Sequence, residues 1–259
     1  METPKVLPVV EPANQKAKFH HKHLPKVDVG VQGGGALLLM LAPVKTGKST
    51  IISNLFLNPN FYGQYFFDDV QVLSNTIAND VTSRYMKKAF NVTDHYSDAV
   101  IDKLIKRQYD AEPEDRLDMA LILDDCLGSI KRESKINHLA SRYRHASIKL
   151  LIISSQKFKG SVSPVIRANA TNVIIGSPFP NQKELLAIAE EYGDNFGGAD
   201  NFLKHYHIAT PNRYDFCHLD MQSNPPLMYS NFDKVVLVGG IDAVKDTVQP
   251  EPQPEPESE

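Results

Sequence analysis

Residues 36–50 read ALLLMLAPVKTGKST, and this stretch decides the fold. An uninterrupted apolar run from Ala36 to Ala42 stops at Pro43, and a loop that contains Gly47 and Lys48 follows. A second apolar pattern, with helical spacing, comes next at Ile51, Ile52, Leu55 and Phe56. This order predicts a buried strand, a phosphate-binding loop and a helix.

The loop suits a nucleoside triphosphate, because such a dense anion needs many hydrogen-bond donors and little side-chain bulk. Backbone N–H groups of residues 45–50 would surround the β-phosphate, at the positive end of the following helix. Lys48 would reach the β- and γ-phosphates, and the Ser49 hydroxyl would bind Mg²⁺. The expected cofactors are therefore ATP and Mg²⁺. The expected binding residues, here called the phosphate loop, are Ala42, Pro43, Val44, Lys45, Thr46, Gly47, Lys48, Ser49 and Thr50.

One position of the phosphate loop departs from the pattern G-x-x-x-x-G-K-[ST], because its first glycine is replaced by Ala42. That position lies at the turn from strand to loop, where a methyl group is tolerable. Gly47, in contrast, lies where the backbone must approach the phosphate. We therefore keep the Walker A assignment over the alternative, a chance match in a loop rich in glycine and lysine.

Composition narrows the class of protein. The 259 residues suit one large α/β domain with short appendages, or at most two small domains. Lys and Arg total 28 against 31 for Asp and Glu, giving a net charge of −3, and the acidic excess lies at the end of the chain. Any contact with nucleic acid therefore requires a local basic patch. Cys126 and Cys217 have no CxxC spacing, which argues against a zinc site or a disulfide framework. The longest apolar run is far short of the ~20 residues of a membrane helix, so we expect a soluble intracellular protein.

A second motif lies at residues 119–125, where an apolar run ends in two carboxylates. A strand followed by acidic residues is the Walker B pattern. A buried parallel strand would deliver Asp124 beside Ser49, where it can hold Mg²⁺ through water. Asp125 would project toward the γ-phosphate and orient the attacking water. The alternative is an ordinary acidic turn after a strand, and the phosphate loop upstream makes this alternative weaker.

Gln156 is a third candidate element of the site, after the phosphate loop and the paired aspartates. It ends an apolar strand at 148–156. If this strand lies between the strand before the phosphate loop and the Walker B strand, it would carry the Gln156 amide to the γ-phosphate. The alternative is that the residues Ser-Ser-Gln at its end form a simple turn. Further strands are predicted at 69–74, 172–176, 215–220, 227–230 and 235–238. Helices are predicted at 80–90, 98–109, 131–145, 163–168, 181–192 and 197–206.

The order of these motifs resembles the FtsK/HerA superfamily of DNA-translocating P-loop ATPases. Within it, the chain is most similar to the viral genome-packaging ATPases of poxviruses, giant viruses and virophages. The most similar block runs from Arg144 and His145, through the strand that ends in Gln156, to residues 165–171, which read VIRANAT. The resemblance covers about residues 35–190.

This resemblance implies an α/β fold: a RecA-like P-loop NTPase of the additional-strand type, with a mainly parallel central sheet flanked by helices. It also implies a homo-oligomeric ring, pentameric or hexameric, around double-stranded DNA, with ATP bound between subunits. An arginine of the neighbouring subunit would stabilise charge on the γ-phosphate. Arg144 and Arg167 are the candidates, with Arg142 behind them, and Lys45 is an alternative cation from the same chain.

The implied function is an ATP-driven motor that moves double-stranded DNA into a viral capsid. Its further partners would be capsid or portal vertex proteins, and its place the host cytoplasm, a viral factory or the virion, with no membrane span. DNA contacts would go mostly to phosphates, because a packaging motor must pass any base. Candidate contacts are Lys157, Lys159 and residues 131–135.

Three parts of the chain are expected. Residues 1–30 should form an extended basic arm, residues 31–240 the RecA-like ATPase domain, and residues 241–259 a disordered tail rich in Pro and Glu. The arm contains His20, His21 and His23, which could chelate a metal. A solvated basic segment packed along a neighbour is the simpler interpretation, and a specific DNA contact is the other alternative.

Other functions share parts of this pattern. A non-viral DNA translocase or a conjugation-type coupling protein would use the same motifs. A nucleotide kinase shares the phosphate loop but typically lacks the additional strand that ends in glutamine. A nucleotide-dependent assembly module stays open because of Ala42 and because Asp125 stands where many such ATPases have glutamate.

Overall fold

The structure of the protein is a computed structural model, which describes residues 27, 29, 34–76, 84–126, 128, 130, 131 and 133–240. Apart from Val27 and Val29, the predicted basic arm lies outside the described residues, and so does the predicted acidic tail. Val27 and Val29 are buried, and the Tyr62 hydroxyl donates a hydrogen bond to the Val27 carbonyl at 2.8 Å. The chain that precedes the first strand is therefore packed against the core at these two residues.

The described residues form nine strands and seven α-helices. The strands are β1 (Ala36–Leu41), β2 (Asp69–Ser74), β3 (Asn91–Thr93), β4 (Met119–Asp124), β5 (Ile148–Ser155), β6 (Asn172–Gly176), β7 (Phe216–Asp220), β8 (Leu227–Ser230) and β9 (Lys234–Val238). The helices are α1 (Lys48–Leu57), α2 (Arg84–Ala89), α3 (Asp98–Asp110), α4 (Lys135–Ala140), α5 (Pro164–Asn169), α6 (Gln182–Tyr192) and α7 (Ala199–Ala209). None of these helices is long and apolar enough to cross a membrane.

The strands form one sheet in the order β3-β2-β4-β5-β1-β6-β7-β8-β9. The first six in this order are parallel, and the last three continue the sheet antiparallel. β5 lies between β1 and β4, which confirms the predicted additional strand. Because parallel strands end at the same edge, the residues that follow β1, β4 and β5 are brought together there.

Both faces of the central strands are buried, which explains their continuous apolar sequences. Along β1, Leu37, Leu39 and Leu41 belong to the larger core cluster, which includes α6 and α7. The alternate residues, Leu38 and Met40, pack on the opposite face with α1. The phosphate loop therefore connects a strand and a helix that are both fixed in the core.

One local prediction is wrong, and one short strand was missed. The helix predicted over 131–145 is wrong: α4 covers only Lys135–Ala140, and a 3₁₀ turn follows at Tyr143–Ala146. Tyr143 is buried, and its hydroxyl donates to the Gly35 carbonyl at 3.1 Å, so the chain bends to insert this ring. The short strand β3 was not predicted. In contrast, the helix after Asn181 is confirmed, with the Asn181 side chain accepting from the backbone N–H groups of Lys183 and Glu184.

His218 on β7 is a fully buried titratable group. Its Nε2 lies 3.1 Å from Nδ2 of Asn172 on β6, and its ring stacks on Tyr229 of β8 at a centroid distance of 5.5 Å. Burial lowers the pKa of His218 to about 4, against a weaker opposing effect of Asp220. The folded protein therefore keeps this imidazole neutral.

We expect the free energy of unfolding to fall as the pH is lowered from 6.5 toward 4. In this range the unfolded chain protonates His218 and the folded protein does not, so acid favours unfolding, by at most ~1.4 kcal/mol per pH unit from this residue. Urea unfolding at several pH values measures the effect. His218→Gln should show a shallower loss than wild type, and His138→Gln, at an exposed position, should match wild type. Equal slopes for His218→Gln and wild type would contradict the assignment.

Candidate active site

The phosphate loop follows β1 at the carboxyl edge of the sheet. Gly47 directly precedes α1 and has φ +91°, a left-handed conformation that favours glycine. Lys45 is also left-handed, with φ +63°. The buried Thr46 hydroxyl donates to the Pro43 carbonyl at 2.7 Å and closes the loop on itself. The loop is thus a compact turn before the amino end of α1, with Val44 and Lys45 exposed.

The structure gives a steric reason for alanine at position 42. The Ala42 N–H donates to the Ser155 carbonyl at 3.0 Å and extends the pairing of β1 with β5. On the other side, β6 ends in Gly176. A side-chain carbon at Gly176 would lie 3.0 Å from Ala42 Cβ and 3.2 Å from Thr46 Oγ1. The methyl group of Ala42 fits because its neighbour on β6 has no side chain.

Lys48, Asp124 and Asp125, here called the charged cluster, are brought together from α1 and the end of β4. The Lys48 ammonium donates to Asp125 Oδ1 and lies 3.5 Å from Asp124 Oδ1. The side chains of Lys48 and Asp124 are each 8% exposed, and that of Asp125 is 16% exposed. One cation thus faces two shielded carboxylates, and the three side chains together carry a net negative charge.

Gln156 follows β5 and reaches the charged cluster. Its Nε2 lies 3.3 Å from Asp125 Oδ2. The loop after Gln156 is held by Glu184, whose Oε2 accepts from the backbone N–H groups of Phe158 at 2.6 Å and Lys159 at 3.0 Å. The amide therefore lies beside Asp125, and its contact with the γ-phosphate stays a prediction.

Two serines at the charged cluster were missed from the sequence. Ser154, the next-to-last residue of β5, donates through Oγ to Asp124 Oδ1 at 2.6 Å and accepts from the Asp125 N–H at 3.1 Å. Ser74 at the end of β2 lies 3.4 Å from Asp124 Oδ2. The only sequence signal for them is a hydroxyl at the end of a buried strand.

Cys126 directly follows the two aspartates but is inert. Burial raises the pKa of its thiol to about 12, and its Sγ donates to the Leu73 carbonyl at 3.2 Å. Because the thiolate is the nucleophilic form, this cysteine is not a candidate nucleophile.

The candidate arginines lie elsewhere. Arg144 precedes β5, at the opposite edge of the sheet, and its guanidinium lies 5.4 Å from the Tyr143 ring centroid. Arg167 on α5 pairs with Glu191 at 2.9 Å and lies over the Phe158 ring. Within the described residues, neither arginine forms a hydrogen bond or an ion pair with the charged cluster of its own chain. Their role in a neighbouring subunit stays a prediction, as does that of the exposed Arg142.

The candidate DNA contacts are exposed but partly paired. Lys159 forms an ion pair with Glu190 at 3.1 Å, and Lys135 lies 3.4 Å from Asp102. Lys157 and Lys131 are exposed, and residue 132 lies outside the described residues. Their contact with DNA stays a prediction.

A groove of about 420 Å³ opens beside the phosphate loop. Residues 43–46 line this groove together with Ser177, Pro178 and Pro180, which follow β6, and residues 210–213, which follow α7. The volume falls in the range of small-molecule sites. The groove, the glycine turn and Lys48 fit a nucleoside triphosphate. Ser49 and Asp124 offer the hard oxygen ligands that Mg²⁺ prefers alongside phosphate oxygens.

The sequence matches no known protein-family profile. It also matches no curated protein. Three similar solved structures are of B204, a viral protein. The DNA-packaging ATPase B204 of Sulfolobus turreted icosahedral virus is 16% identical with a TM-score of 0.56, over 76% of this chain and 97% of that chain. The genome packaging NTPase B204 of Sulfolobus turreted icosahedral virus 2, in complex with ATP-gammaS, is 18% identical with a TM-score of 0.53, over 76% and 98%.

The complex of the same B204 protein with AMPPCP is 16% identical with a TM-score of 0.52, over 76% of this chain and 98% of that chain. These likenesses cover nearly the whole of each B204 chain. They confirm the predicted P-loop NTPase fold, with its central, mainly parallel sheet between helices.

We expect Gly176→Ala to disturb the phosphate loop, because its methyl group would press on Ala42 and Thr46. Overpacking of this kind typically costs about 1–3 kcal/mol. The expected result is a lower melting temperature and weaker binding of a fluorescent ATP analogue. Ala42→Gly, which removes the opposing methyl group, should restore part of both in the double variant.

The matched control is Gly128→Ala, where a side-chain carbon would meet no atom within 4 Å. It should behave as wild type. If Gly176→Ala also does so, or if Ala42→Gly restores nothing, the proposed fit between Ala42 and Gly176 is wrong.

Proposed function

We propose that this protein is an ATPase that moves double-stranded DNA into a viral capsid. The observation that carries the proposal is the contact of Gln156 with Asp125, which joins the additional strand β5 to the charged cluster. This arrangement favours hydrolysis of a bound triphosphate over simple binding. The fold that this chain shares with the B204 packaging NTPases supports the same function.

The roles of the residues follow from their chemistry. The phosphate-loop backbone and Lys48 bind the β- and γ-phosphates, and Ser49 and Asp124 hold Mg²⁺. Asp125 orients the attacking water and accepts its proton, with Gln156 beside it. When bound, Mg²⁺ neutralises charge on the phosphate oxygens. The negative balance of the charged cluster favours such a cation, since Lys48 offsets only one of the two carboxylates.

The groove beside the phosphate loop would hold the nucleoside. Its walls include Pro178, Pro180 and Pro211, which give a rigid apolar lining. Thr210, Asn212 and Arg213 add polar groups at the same place. A base that lies here would leave its triphosphate directed along the loop toward Lys48.

A ring of five or six copies would complete the site. The charged cluster contains no arginine from its own chain among the described residues, and phosphoryl transfer gains strongly from such a cation. We assign this role to Arg144 of a neighbouring subunit in preference to Arg167, because Arg167 is already paired with Glu191. The ring channel would contact DNA phosphates through exposed lysines, Lys157 among them.

A non-viral DNA translocase is the second candidate, because it would use the same charged cluster and additional strand. A nucleotide kinase is less well supported, since kinases typically lack an additional central strand that ends in glutamine, as β5 and Gln156 do here. The viral motor would bind capsid or portal proteins, whereas the non-viral translocase would not, so these partners distinguish the two functions.

We expect steady-state phosphate release from ATP to rise several-fold on addition of linear double-stranded DNA. Lys48→Ala should reduce the rate at least ~100-fold, because it removes the cation that binds the β- and γ-phosphates. Lys183→Ala, at an exposed position on α6, is the control and should keep the wild-type rate. Circular dichroism verifies that each variant is folded. Transfer of phosphate to an added nucleoside monophosphate, with no response to DNA, would overturn the motor in favour of a kinase.

A mixing experiment tests Arg144. Arg144→Ala and Lys48→Ala should each be inactive alone, because each lacks one half of every shared site. In mixed rings about one interface in four joins an intact Lys48 to an intact Arg144, so activity should return. Arg142→Ala is the control. Because it keeps Arg144, it should be active both alone and mixed with Lys48→Ala. If the Arg144→Ala mixture stays inactive while Arg144→Ala subunits still assemble, Arg144 does not act in trans.

A further inference from the structure

Ser154 is not a member of the charged cluster, but it contacts both of its aspartates from the buried interior. Its side chain is fully buried on β5, between β4 and β1. One hydroxyl serves two neighbours: it donates to Asp124 Oδ1 at 2.6 Å and accepts from the Asp125 N–H at 3.1 Å. This single hydroxyl therefore joins Asp124, the last residue of β4, to Asp125, which follows the strand.

We propose that Ser154 is a positioning residue for the hydrolytic site. It orients the Asp124 carboxylate that holds Mg²⁺, and it fixes the backbone turn that directs Asp125. This inference rests on the proposed function and deepens it. Ser154 itself does not contact the nucleotide, so it acts only through the two aspartates.

The direction of each hydrogen bond supports this role. The Asp125 N–H can only donate, so the serine oxygen accepts from it. The single hydroxyl proton is then directed to Asp124 Oδ1. A hydroxyl that donates to a carboxylate at 2.6 Å forms a short, charge-assisted bond. The rotation of the Asp124 carboxylate is therefore restricted, which fixes the oxygens that remain available for a cation.

The backbone of Asp125 explains why its N–H needs a fixed partner. Asp125 has φ +52°, an uncommon conformation for a residue other than glycine. Its N–H is held by Ser154, and its carbonyl lies 3.4 Å from Asn75 Nδ2. This turn brings the Asp125 carboxylate to Lys48 and Gln156. Without Ser154, the turn would lose its closest backbone hydrogen bond.

Ser74 provides a weaker version of the same support. It approaches the other oxygen of Asp124, Oδ2, from β2 on the far side of β4, at 3.4 Å. Among the described residues, the Ser74 hydroxyl forms no hydrogen bond with the Asp125 backbone. The two serines should therefore differ in effect, with Ser154 the more important.

The test measures metal binding separately from turnover. Mn²⁺ serves as the probe, and its affinity for the protein saturated with ATPγS is measured by electron paramagnetic resonance. Binding of a fluorescent ATP analogue in EDTA reports the nucleotide site without metal. Thermal melting reports folding, and steady-state assays give kcat and KM for ATP.

We expect Ser154→Ala to weaken Mn²⁺ binding about 10- to 100-fold, as removal of an outer partner of a metal ligand typically does. Nucleotide affinity in EDTA should change by less than about twofold, since the phosphate loop is untouched. The loss of turnover should lie in kcat and not in KM. Ser74→Ala should weaken Mn²⁺ binding less than Ser154→Ala. If Ser154→Ala does not fold, Ser154→Cys replaces it, because a thiol is a much weaker hydrogen-bond donor than a hydroxyl, and it should also weaken Mn²⁺ binding.

Ser53→Ala on α1 is the matched control. Ser53 is 1% exposed, and its Oγ has no hydrogen-bond partner among the described residues, so its removal deletes a buried hydroxyl without deleting a bond. It should keep wild-type Mn²⁺ affinity. The proposal is overturned if Ser154→Ala and Ser53→Ala bind Mn²⁺ with equal affinity. It is also overturned if Ser154→Ala loses affinity for the nucleotide in EDTA as strongly as it loses affinity for Mn²⁺.

The two proposals can fail separately. Wild type that binds Mn²⁺ with ATPγS but shows no DNA-stimulated hydrolysis contradicts the motor and leaves the role of Ser154 to the binding data. Wild type with DNA-stimulated hydrolysis, together with unchanged Mn²⁺ binding in Ser154→Ala, contradicts the role of Ser154 alone. Wild type that binds no Mn²⁺ with ATPγS contradicts both.

Discussion

The Lys48 ammonium lies between two carboxylates that are consecutive in sequence, and the rest of the site depends on this contact. Two shielded carboxylates side by side repel each other, and one cation offsets only part of that charge. The geometry requires that α1 begin where β4 ends, which the sheet achieves by placing β1 and β4 on either side of β5. A divalent cation would offset the remaining negative charge, and the phosphate oxygens of a bound triphosphate would complete the ligands of that cation.

Close packing around the phosphate loop is the second constraint. Ala42 fits at the end of β1 because Gly176 lies at the end of β6, and Thr46 lies against the same glycine. A change on β6 would therefore reach the loop without touching the nucleotide. The departure of Ala42 from the usual motif is thus matched by the neighbouring strand.

The sequence predicted most of the central sheet because buried parallel strands are continuous apolar runs, as in β1, β4 and β5. It could not predict β3, which has three residues and no buried side chain. The break between α4 and β5 was also hidden, since it depends on Tyr143 contacting Gly35, which is distant in sequence. Ser154 and Ser74 carry no periodic signal, and their meaning appears only once β2, β4 and β5 are known to be neighbours.

The proposed function requires that the charged cluster, assisted by Gln156, drive movement along double-stranded DNA. Displacement of a fluorescent third strand from a DNA triplex measures such movement directly, because a translocase removes the strand only when it travels along the duplex. We expect ATP-dependent displacement by wild type, none by Asp125→Asn, and strongly reduced displacement by Gln156→Ala. ATP hydrolysis by wild type without displacement, or displacement by Asp125→Asn at the wild-type rate, would contradict it.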